Sequence, residues 1–374
     1  MKFLDCCKKS GSKVNEFVGE KKYIATGDVS NDEIVSFSNV TFSNKPSRAN
    51  VMIKENSILF AKMKSTNKVL FGNEENVDNI YSTGFYCITA DETLIKPRLL
   101  FHYIKSDKFN ISKDKYCEGA TMKSLNDSGL SKIDIKIPDF SKQDNLIQIL
   151  DYIDEAIKIN ENNIKENDKL IKSKYSEMFD NCSEKIKIGD ACSIKARIGW
   201  QGLTKKEYLT SGEYLLVTGV DFVDDKIDFD NCYFVSKDRY EQDENIQLKN
   251  GDVLVTKDGT IGKIAIVENL SMPATLNSGV FVVRDKTGKL NSRFLEYSLL
   301  SYKFTRFIDS IKTGATISHL NQAAFVKYEI PFPSEEKQEY FLTFVEKIKE
   351  LNELNKVNII DLKNLKETII NNNF

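Results

Sequence analysis

The stretch TKDGTIGKIAIV, residues 256–267, places two glycines and two lysines between apolar runs and could therefore bind phosphate. A phosphate-binding loop needs four residues between its glycines and a Ser or Thr after its lysine, which supplies a magnesium ligand. Here two residues separate the glycines, and isoleucine follows Lys263. The flanking runs are strand-like, so the sequence predicts a β-hairpin that turns at Asp258-Gly259. Lys257 and Lys263 then flank the turn and are available to a polyanion.

Composition argues against several other chemistries. The chain has 374 residues and a formal net charge of −2. It contains two histidines, and this low number argues against a zinc site or catalysis by several imidazoles. Seven cysteines without a CxxC pair, and no export signal, predict reduced thiols and a cytoplasmic protein. No run of 18 apolar residues occurs, so we expect no transmembrane helix. The near-neutral charge is not that of a free-standing nucleic-acid binder.

The sequence repeats itself with a nearly constant offset. Residues 58–62 (ILFAK) match residues 253–257 (VLVTK), and 253 − 58 = 195. The same offset relates Gly-Ala-Thr at 119–121 to 314–316, and Lys-Gln at 142–143 to 337–338. Because these matches occur in the same order along the chain, the sequence predicts two copies of one unit of about 190 residues.

Each copy ends in a long, polar-rich segment without proline or glycine, residues 142–182 and 334–374. Apolar residues and asparagines recur there at alternating steps of four and three, which is a heptad seam. The first seam is Leu146, Leu150, Ile153, Ile157, Asn160, Ile164, Asn167 and Ile171, and the second is Phe344, Ile348, Leu351, Asn355, Asn358, Leu362, Leu365 and Ile369. The pattern predicts two helices of about 35 residues, each near 50 Å long.

The two seams can be paired in either direction, and a duplicated unit favours the antiparallel one. With Asn160 opposite Asn355, Asn167 meets Ile348 and Ile157 meets Asn358. A buried asparagine pair costs stability but sets register. We therefore predict that Asn160, Asn167, Asn355 and Asn358 determine the register, although they could also be ordinary members of a hydrated seam.

The predicted fold class is α+β, with two repeated mixed α/β domains separated by two long antiparallel coiled-coil helices. Strand patterns and short amphipathic helices precede each long helix. The predicted boundaries are 1–141 for the first domain, 142–181 for the first helix, 182–334 for the second domain and 335–374 for the second helix.

These features resemble the specificity (S) subunit of Type I restriction–modification systems. The second copy carries the resemblance in RIGWQGLTKKEYLTSGEYLLVTGVDF (197–222), NGDVLVTKDGTIGKIAIV (250–267), LNSGVFVVR (276–284), TGATISHLNQAAF (313–325) and IPFPSEEKQ (330–338). The resemblance extends over essentially the whole chain. The first copy departs from it, because it lacks counterparts of RIGWQGL and of the Asp-Gly turn and reads MKSLN where the second reads ISHLN.

The resemblance implies two target-recognition domains, each reading one half of a split DNA sequence. It also implies that the helices bind two methyltransferase subunits, with restriction subunits as further optional partners. A rod near 50 Å would span roughly 15 base pairs, so two major grooves are within reach. The chain itself is expected to be non-catalytic and to bind no cofactor, with S-adenosylmethionine, Mg and ATP on partner subunits. In agreement, the sequence contains no Asn/Asp-Pro-Pro-aromatic motif and no glycine-rich cofactor loop.

Candidate DNA contacts are residues whose side chains can bind phosphates or base edges. In the second domain they are Arg197, Trp200, Gln201, Lys205, Lys206, Lys257, Lys263, Thr316 and His319. In the first domain they are Arg48, Lys62, Lys64, Thr121 and Lys123. The lysines could equally be solvated surface residues, His319 a hydrogen-bonded loop residue and Trp200 a core residue.

Two other functions stay open at this point. One is a nuclease or methyltransferase fused to recognition domains, which cofactor binding or DNA cleavage by the isolated protein would reveal. The other is a coiled-coil scaffold that binds protein and not DNA. Charge reversal at Lys257 and Lys263 would leave a scaffold's assembly intact.

Overall fold

The computed structural model describes residues 1–199, 202–312 and 319–374. Contacts divide the chain into two units, one of Met1–Asn162 with Asn355–Phe374 and one of Asn163–Leu354. Each unit therefore holds one mixed region and a segment of both long helices, Phe140–Phe179 and Glu335–Asn373. The predicted domain boundaries stay predictions, because this division assigns part of each long helix to each unit.

The first unit is built from two sheets, a small hairpin and helices. Its strands are β1 Cys7–Lys9, β2 Lys21–Ile24, β3 Val29–Ser30, β4 Glu33–Ile34, β5 Ser38–Val40, β6 Ala49–Val51, β7 Ile58–Ala61, β8 Val69–Phe71, β9 Ile80–Ser82 and β10 Phe85–Ala90. Its helices are α1 Pro97–Lys105, α2 Asp107–Lys115, α3 Asp127–Leu130 and the start of α4 Phe140–Phe179. One sheet has the order β1-β10-β7-β8 and is antiparallel, and the other has the order β5-β2-β9-β6 with β2 and β9 parallel.

Strand β7 is buried on both faces because it lies between two hydrophobic clusters. Ile58 and Phe60 belong to the cluster that includes α1, whereas Leu59 and Ala61 belong to one shared with the second sheet. Successive side chains on a strand point to opposite faces, so a continuous apolar run is what such a strand requires.

The second unit repeats this design. Its strands are β11 Lys185–Lys187, β12 Cys192–Lys195, β13 Tyr214–Val217, β14 Phe222–Val223, β15 Lys226–Ile227, β16 Tyr233–Val235, β17 Val253–Thr256, β18 Ile264–Ile266, β19 Ala274–Leu276, β20 Val280–Asp285 and β21 Glu329–Pro331. Its helices are the end of α4, α5 Ile188–Ala191, α6 Lys237–Glu241, α7 Ser292–Leu300, α8 Tyr302–Lys312, α9 Gln322–Phe325 and the start of α10 Glu335–Asn373. The sheet order β12-β20-β17-β18 matches β1-β10-β7-β8 strand for strand, and β16-β13-β19 matches β5-β2-β9.

The predicted repeat is confirmed at the level of elements. Helices α1, α2, α3 and α4 begin at residues 97, 107, 127 and 140, and α7, α8, α9 and α10 begin 195 residues later at 292, 302, 322 and 335. The predicted hairpin is also present, since β17 pairs with β18 antiparallel. Its connection is the whole of residues 257–263 rather than a tight Asp258-Gly259 turn. Thr256 closes it, because Gly262 N donates to Thr256 O at 2.9 Å and Lys263 N to Thr256 Oγ1 at 2.9 Å.

Within each unit the two long helices run antiparallel, as predicted. In the first unit, Lys366 binds Asp154 and Asn358 Nδ2 lies 3.5 Å from Asn160 Oδ1, so numbers rise on α4 as they fall on α10. In the second unit, Asn167 Nδ2 donates to Asn352 Oδ1 at 2.8 Å, and the rings of Tyr175 and Phe341 lie 5.5 Å apart, so the numbers again rise on α4 as they fall on α10. No helix among the described residues combines the length and apolar content needed to cross a membrane.

The predicted register differs from the observed one on α10. Asn160 meets Asn358 rather than Asn355, and Asn167 meets Asn352 rather than Ile348. The seam of α4 contains buried leucines and isoleucines at its predicted positions, Leu146, Leu150, Ile153 and Ile171.

On α10 the predicted seam residue Ile348 is buried, but at two other seam positions the buried residue is the next one along the chain. Leu351 and Leu365 are 49 % exposed, while Asn352 and Lys366 are buried. A lysine can bury its stem when its ammonium has a partner, here Asp154. A pattern of apolar residues does not indicate that a polar residue is buried, so the prediction was wrong at Asn352 and Lys366.

A buried glutamine fastens the first turn of each long helix to its mixed region. Gln143 accepts a hydrogen bond from Lys96 N at 2.9 Å and donates to Leu94 O at 2.9 Å and Pro138 O at 3.1 Å. Gln338, 195 residues later, makes the same three bonds with Asn291 N, Lys289 O and Pro333 O at 2.9, 2.9 and 3.1 Å. Thus the repeated Lys-Gln of the sequence marks a structural joint.

Replacing Gln143 by Ala is expected to lower the free energy of unfolding by about 2–4 kcal/mol, because three backbone groups, which are buried or partly buried, lose their partner. Urea unfolding followed by circular dichroism measures the change. Gln148→Ala is the matched control, since Gln148 is exposed and its amide donates to the exposed Tyr152 Oη. Equal effects of the two substitutions would show that the joint is unimportant.

Candidate nucleic-acid interface

In the first unit, Lys62 directly follows β7 and is held by two backbone hydrogen bonds. Its N–H donates to Gly84 O at 3.0 Å, and its carbonyl accepts from Leu125 N at 2.8 Å. These three residues are called the strand-end frame of the first unit. The frame joins the end of β7 to the turn before β10 and to the loop before α3.

The other candidates of the first unit lie beside this frame. Thr83 N donates to Arg48 O at 2.9 Å, and Lys62 Nζ donates to Thr83 O at 2.9 Å. Lys64 N donates to Lys123 O at 3.0 Å. Arg48, Lys64 and Lys123 are exposed, as is Thr121 on the same loop as Lys123. The structure therefore brings Arg48, Lys62, Lys64 and Lys123 together at one edge, with Thr121 two residues before Lys123 in the chain.

The second unit has the same frame, made by Lys257, Gly279 and Leu320. Lys257 N donates to Gly279 O at 2.8 Å, and Leu320 N donates to Lys257 O at 2.9 Å. Candidate His319 immediately precedes Leu320, and exposed Lys263 ends the same connection. Three candidates of the second domain are thus brought together.

An aromatic ring lies below each strand-end lysine. Lys62 Nζ is 5.7 Å from the ring centre of Tyr86, and Lys257 Nζ is 5.9 Å from that of Phe281. Positions 86 and 281 are again 195 apart. A cation over a ring face is attracted by the ring quadrupole, so this contact helps to hold the ammonium in place.

Asp258, which the sequence did not indicate as a candidate, also belongs to this site. Lys257 Nζ donates to Asp258 Oδ2 at 2.8 Å, and His319 Nδ1 bonds Asp258 Oδ1. Burial raises the pKa of the Asp258 carboxyl, but the hydrogen bonds from Lys257 and His319 outweigh it and hold that pKa below its usual range. Asp258 is therefore an ionised acceptor at neutral pH. Its place in the Asp-Gly pair suggested only a turn residue.

Lys205 and Lys206 lie on an exposed turn that is tied to the same region. Thr204 N donates to Glu207 Oε2 at 2.8 Å, which closes the turn. The next residue, Tyr208, accepts a hydrogen bond from Asn277, close to the Gly279 of the frame. Both lysines are exposed, so they stay candidates for contact with a polyanion.

Arg197 has a different role from the one predicted. It is 2 % exposed, and its guanidinium donates to Leu276 O at 2.9 Å, Thr275 Oγ1 at 3.2 Å and Gln242 Oε1 at 3.2 Å. These bonds join β19 to the segment after α6, so Arg197 holds the domain together. Arg197 is therefore not part of the candidate interface. Its charge and its glycine-rich surroundings in the sequence gave no sign of burial.

Trp200, Gln201 and Thr316 lie outside the described residues, and their proposed contacts stay predictions. Among the residues that the structure does describe, no group of His, Cys, Asp and Glu side chains is arranged to hold a metal ion.

The two units anchor the connection after the frame lysine by different chemistry. In the first, buried Lys113 donates to Thr66 O and lies 3.8 Å from Asp114, which accepts from Ser65 N at 2.9 Å. In the second, position 113 + 195 = 308 is Ile308, and position 66 + 195 = 261 is Ile261. Both isoleucines are buried in one hydrophobic cluster. A buried polar contact in one copy thus replaces an apolar contact in the other.

The fold and the site define a duplicated mixed α/β protein whose two copies each present basic residues at the ends of equivalent strands. A family model described as the Type I restriction modification DNA specificity domain matches residues 2–167 and 183–364. The chain belongs to this family.

Two curated relatives carry related names. The MjaIX specificity subunit of a Type I restriction enzyme from Methanocaldococcus jannaschii is 31 % identical over 93 residues, which are 25 % of this chain and 21 % of the relative. The HindI specificity subunit of a Type I restriction enzyme from Haemophilus influenzae is 24 % identical over 141 residues, 37 % of this chain and 31 % of the relative. The matched parts span less than a third of either relative.

Solved structures share the fold at low identity. A chain from a structural study of complex assembly and conformational transition in a type I restriction–modification system has a TM-score of 0.66 at 18 % identity, covering 99 % of this chain and 96 % of that one. A Type I restriction–modification S subunit from M. genitalium has a TM-score of 0.52 at 15 % identity, covering 99 % and 94 %.

Replacing the polar anchor of the first unit by the apolar residues of the second tests whether the two anchors are equivalent. Lys113→Ile is expected to lower the free energy of unfolding by about 1–3 kcal/mol, since Thr66 O loses its donor. Adding Thr66→Ile is expected to recover part of the lost free energy of unfolding, because the two isoleucines can then pack as Ile308 and Ile261 do in the second unit. Urea unfolding of both single variants and the double variant gives the coupling between the two sites.

Lys115→Ile is the matched control, because Lys115 is exposed on the same helix, and its effect should stay within about 0.5 kcal/mol. Strictly additive effects of Lys113→Ile and Thr66→Ile would contradict the expectation that the two new isoleucine side chains pack together, as Ile308 and Ile261 do within one cluster.

Proposed function

We propose that this chain is the DNA sequence-recognition subunit of a Type I restriction–modification complex, with each repeat reading one half of a split target. The observation that carries the proposal is the strand-end frame, which recurs in both repeats of a chain from the DNA specificity family. Each frame presents a lysine at a place where exposed polar side chains gather. A scaffold that binds only proteins has no need of this arrangement.

Recognition by such a site divides into two kinds of contact. Exposed Lys64 and Lys123 in the first unit, and Lys205, Lys206 and Lys263 in the second, suit phosphates, which fix position but carry no sequence information. Lys62 and Lys257 are oriented by hydrogen bonds and by an aromatic ring, so they suit a more specific contact. Base edges in the major groove offer the donors and acceptors that distinguish the four base pairs.

We propose that the chain contributes recognition and no catalysis, as one part of a methyltransferase and restriction endonuclease complex. S-adenosylmethionine, Mg and ATP would then be bound by the methyltransferase and restriction subunits. A chain with a net charge of −2 gains little from overall attraction to DNA, which fits a subunit that relies on partners to close around the duplex. We place the complex in the cytoplasm, where thiols stay reduced.

Exposed apolar side chains on the long helices are the proposed docking surface for a methyltransferase subunit. In the first unit, Tyr152 and Ile159 on α4 and Val357 and Ile360 on α10 are each more than half exposed. The second unit has its own set, which includes Tyr340 and Leu354. Large apolar side chains at the surface of a helix mark sites where another protein removes them from water.

Replacing Ile159 and Ile360 by Glu is expected to weaken binding of the methyltransferase subunit by at least about tenfold, because a charge would have to be buried in the contact. Co-purification and calorimetry measure the loss. Glu155→Ala, on an exposed position of the same helix, is the control. Unchanged binding would show that the methyltransferase docks elsewhere.

The test of the proposed function is the map of N6-methyladenine made when this chain is co-expressed with its methyltransferase subunit in a host without adenine methylation. Single-molecule sequencing should show one motif with two defined halves and a fixed gap. Exchange of residues 1–141 for those of another family member should then change one half and leave the other.

Absence of methylation, or a continuous short motif, would overturn the two-domain proposal and favour the scaffold. Binding of S-adenosylmethionine or cleavage of DNA by the isolated chain would favour an enzyme instead.

A further inference from the structure

The strand-end frames of the two units share their backbone but present different side chains. Met63 follows the frame lysine in the first unit, and Asp258 follows it in the second. Ser124 precedes the frame leucine in the first unit, and His319 does so in the second. Lysine, ring, glycine carbonyl and leucine N–H are therefore constant or chemically similar, while these two neighbouring positions vary.

In each unit the two variable residues are direct neighbours. Met63 and Ser124 form an isolated antiparallel bridge, and Asp258 and His319 are joined by a side-chain hydrogen bond. Met63 is 39 % exposed, and the side chains of Asp258 and His319 are 45 % and 47 % exposed. Each pair is thus open to a ligand that reaches the frame.

Asp258 is a preorganised hydrogen-bond acceptor. Its carboxylate can accept about four hydrogen bonds, and Lys257 and His319 supply two of them. The same two bonds fix its orientation, and the positive Lys257 offsets part of its repulsion from phosphates. A carboxylate in the major groove matches the exocyclic amino group of cytosine or adenine and repels the two acceptors of guanine.

Met63 offers the opposite chemistry. Its side chain has no strong donor or acceptor, and it is held on the same kind of frame by the bridge to Ser124. An apolar side chain in the major groove matches the methyl group of thymine.

We propose that positions 63/124 and 258/319 are the base-reading pairs of the two repeats, with Asp258 accepting from an exocyclic amino group of cytosine or adenine and Met63 contacting a thymine methyl. This inference rests on the proposed function and assigns the specificity of the same sites. Under this proposal, one framework can serve two half-sites of different sequence.

The test uses the full chain co-expressed with its methyltransferase subunit and the methylation map described above. Asp258→Asn, which is nearly isosteric, and the double variant Asp258→Met/His319→Ser, which copies the first repeat, should each relax or change one position of the second half-motif. Discrimination there should fall roughly ten- to a hundredfold, as expected for the loss of one good base contact. The first half-motif and the gap should stay unchanged.

The reciprocal variant Met63→Asp/Ser124→His should alter one position of the first half-motif and leave the second intact. Lys64→Ala provides the contrast, because loss of a phosphate contact should lower methylation at all sites in equal proportion and keep the motif.

Two results would overturn the inference while leaving the proposed function standing. One is an unaltered motif in both Asp258 variants. The other is a uniform increase in methylation at all sequences, which would show that Asp258 only neutralises the charge of Lys257. Lack of any split motif with the unmodified chain would instead overturn the proposed function, and the inference with it.

Discussion

The structure depends on how each mixed region is joined to a long helix, because a long polar helix has little stability without packing. The joint is a buried glutamine whose amide bonds one backbone N–H and two backbone carbonyls at 2.9–3.1 Å. Buried backbone groups must be paired, so Gln143 and Gln338 each fix the helix start and the loop before α1 or α7 at the same time. Within each unit, the side chains on the long helix and at the strand ends are therefore positioned relative to that joint.

The two repeats show that geometry and chemistry can change separately. Lys113 and Ile308 occupy equivalent places and anchor equivalent connections, one by a hydrogen bond and one by packing. A buried lysine is costly unless its ammonium is paired, and here burial lowers the pKa of Lys113 while Asp114 opposes that shift. Although the anchors differ, the strand-end frames around Lys62 and Lys257 have the same backbone hydrogen bonds. The two repeats therefore share the backbone hydrogen bonds that orient these side chains, whereas the identity of the neighbouring side chains differs between them.

Much of this could be predicted from the sequence where a feature depends on periodicity. The repeat, the antiparallel helices and the seam of α4 follow from patterns that burial itself imposes. The register on α10 could not be predicted, since Asn352 and Lys366 are buried through partners on α4 that an apolar pattern cannot show. The burial of Arg197 could not be predicted for the same reason, because its guanidinium bonds carbonyl and side-chain groups that are distant in the sequence. Asp258 was missed because its importance lies in a contact with His319, 61 residues away.

The site also explains how a chain with a formal net charge of −2 could recognise DNA. Lys62 and Lys257 already donate to protein oxygens, so a polyanion must share or replace those bonds and gains less from them than from free ammonium groups. The same bonds hold the two side chains in fixed directions, which favours discrimination over raw affinity. Specificity is a difference between affinities and needs repulsive as well as attractive groups. A carboxylate at Asp258 provides such repulsion against guanine and phosphate alike, and affinity would then have to come from the rest of the complex.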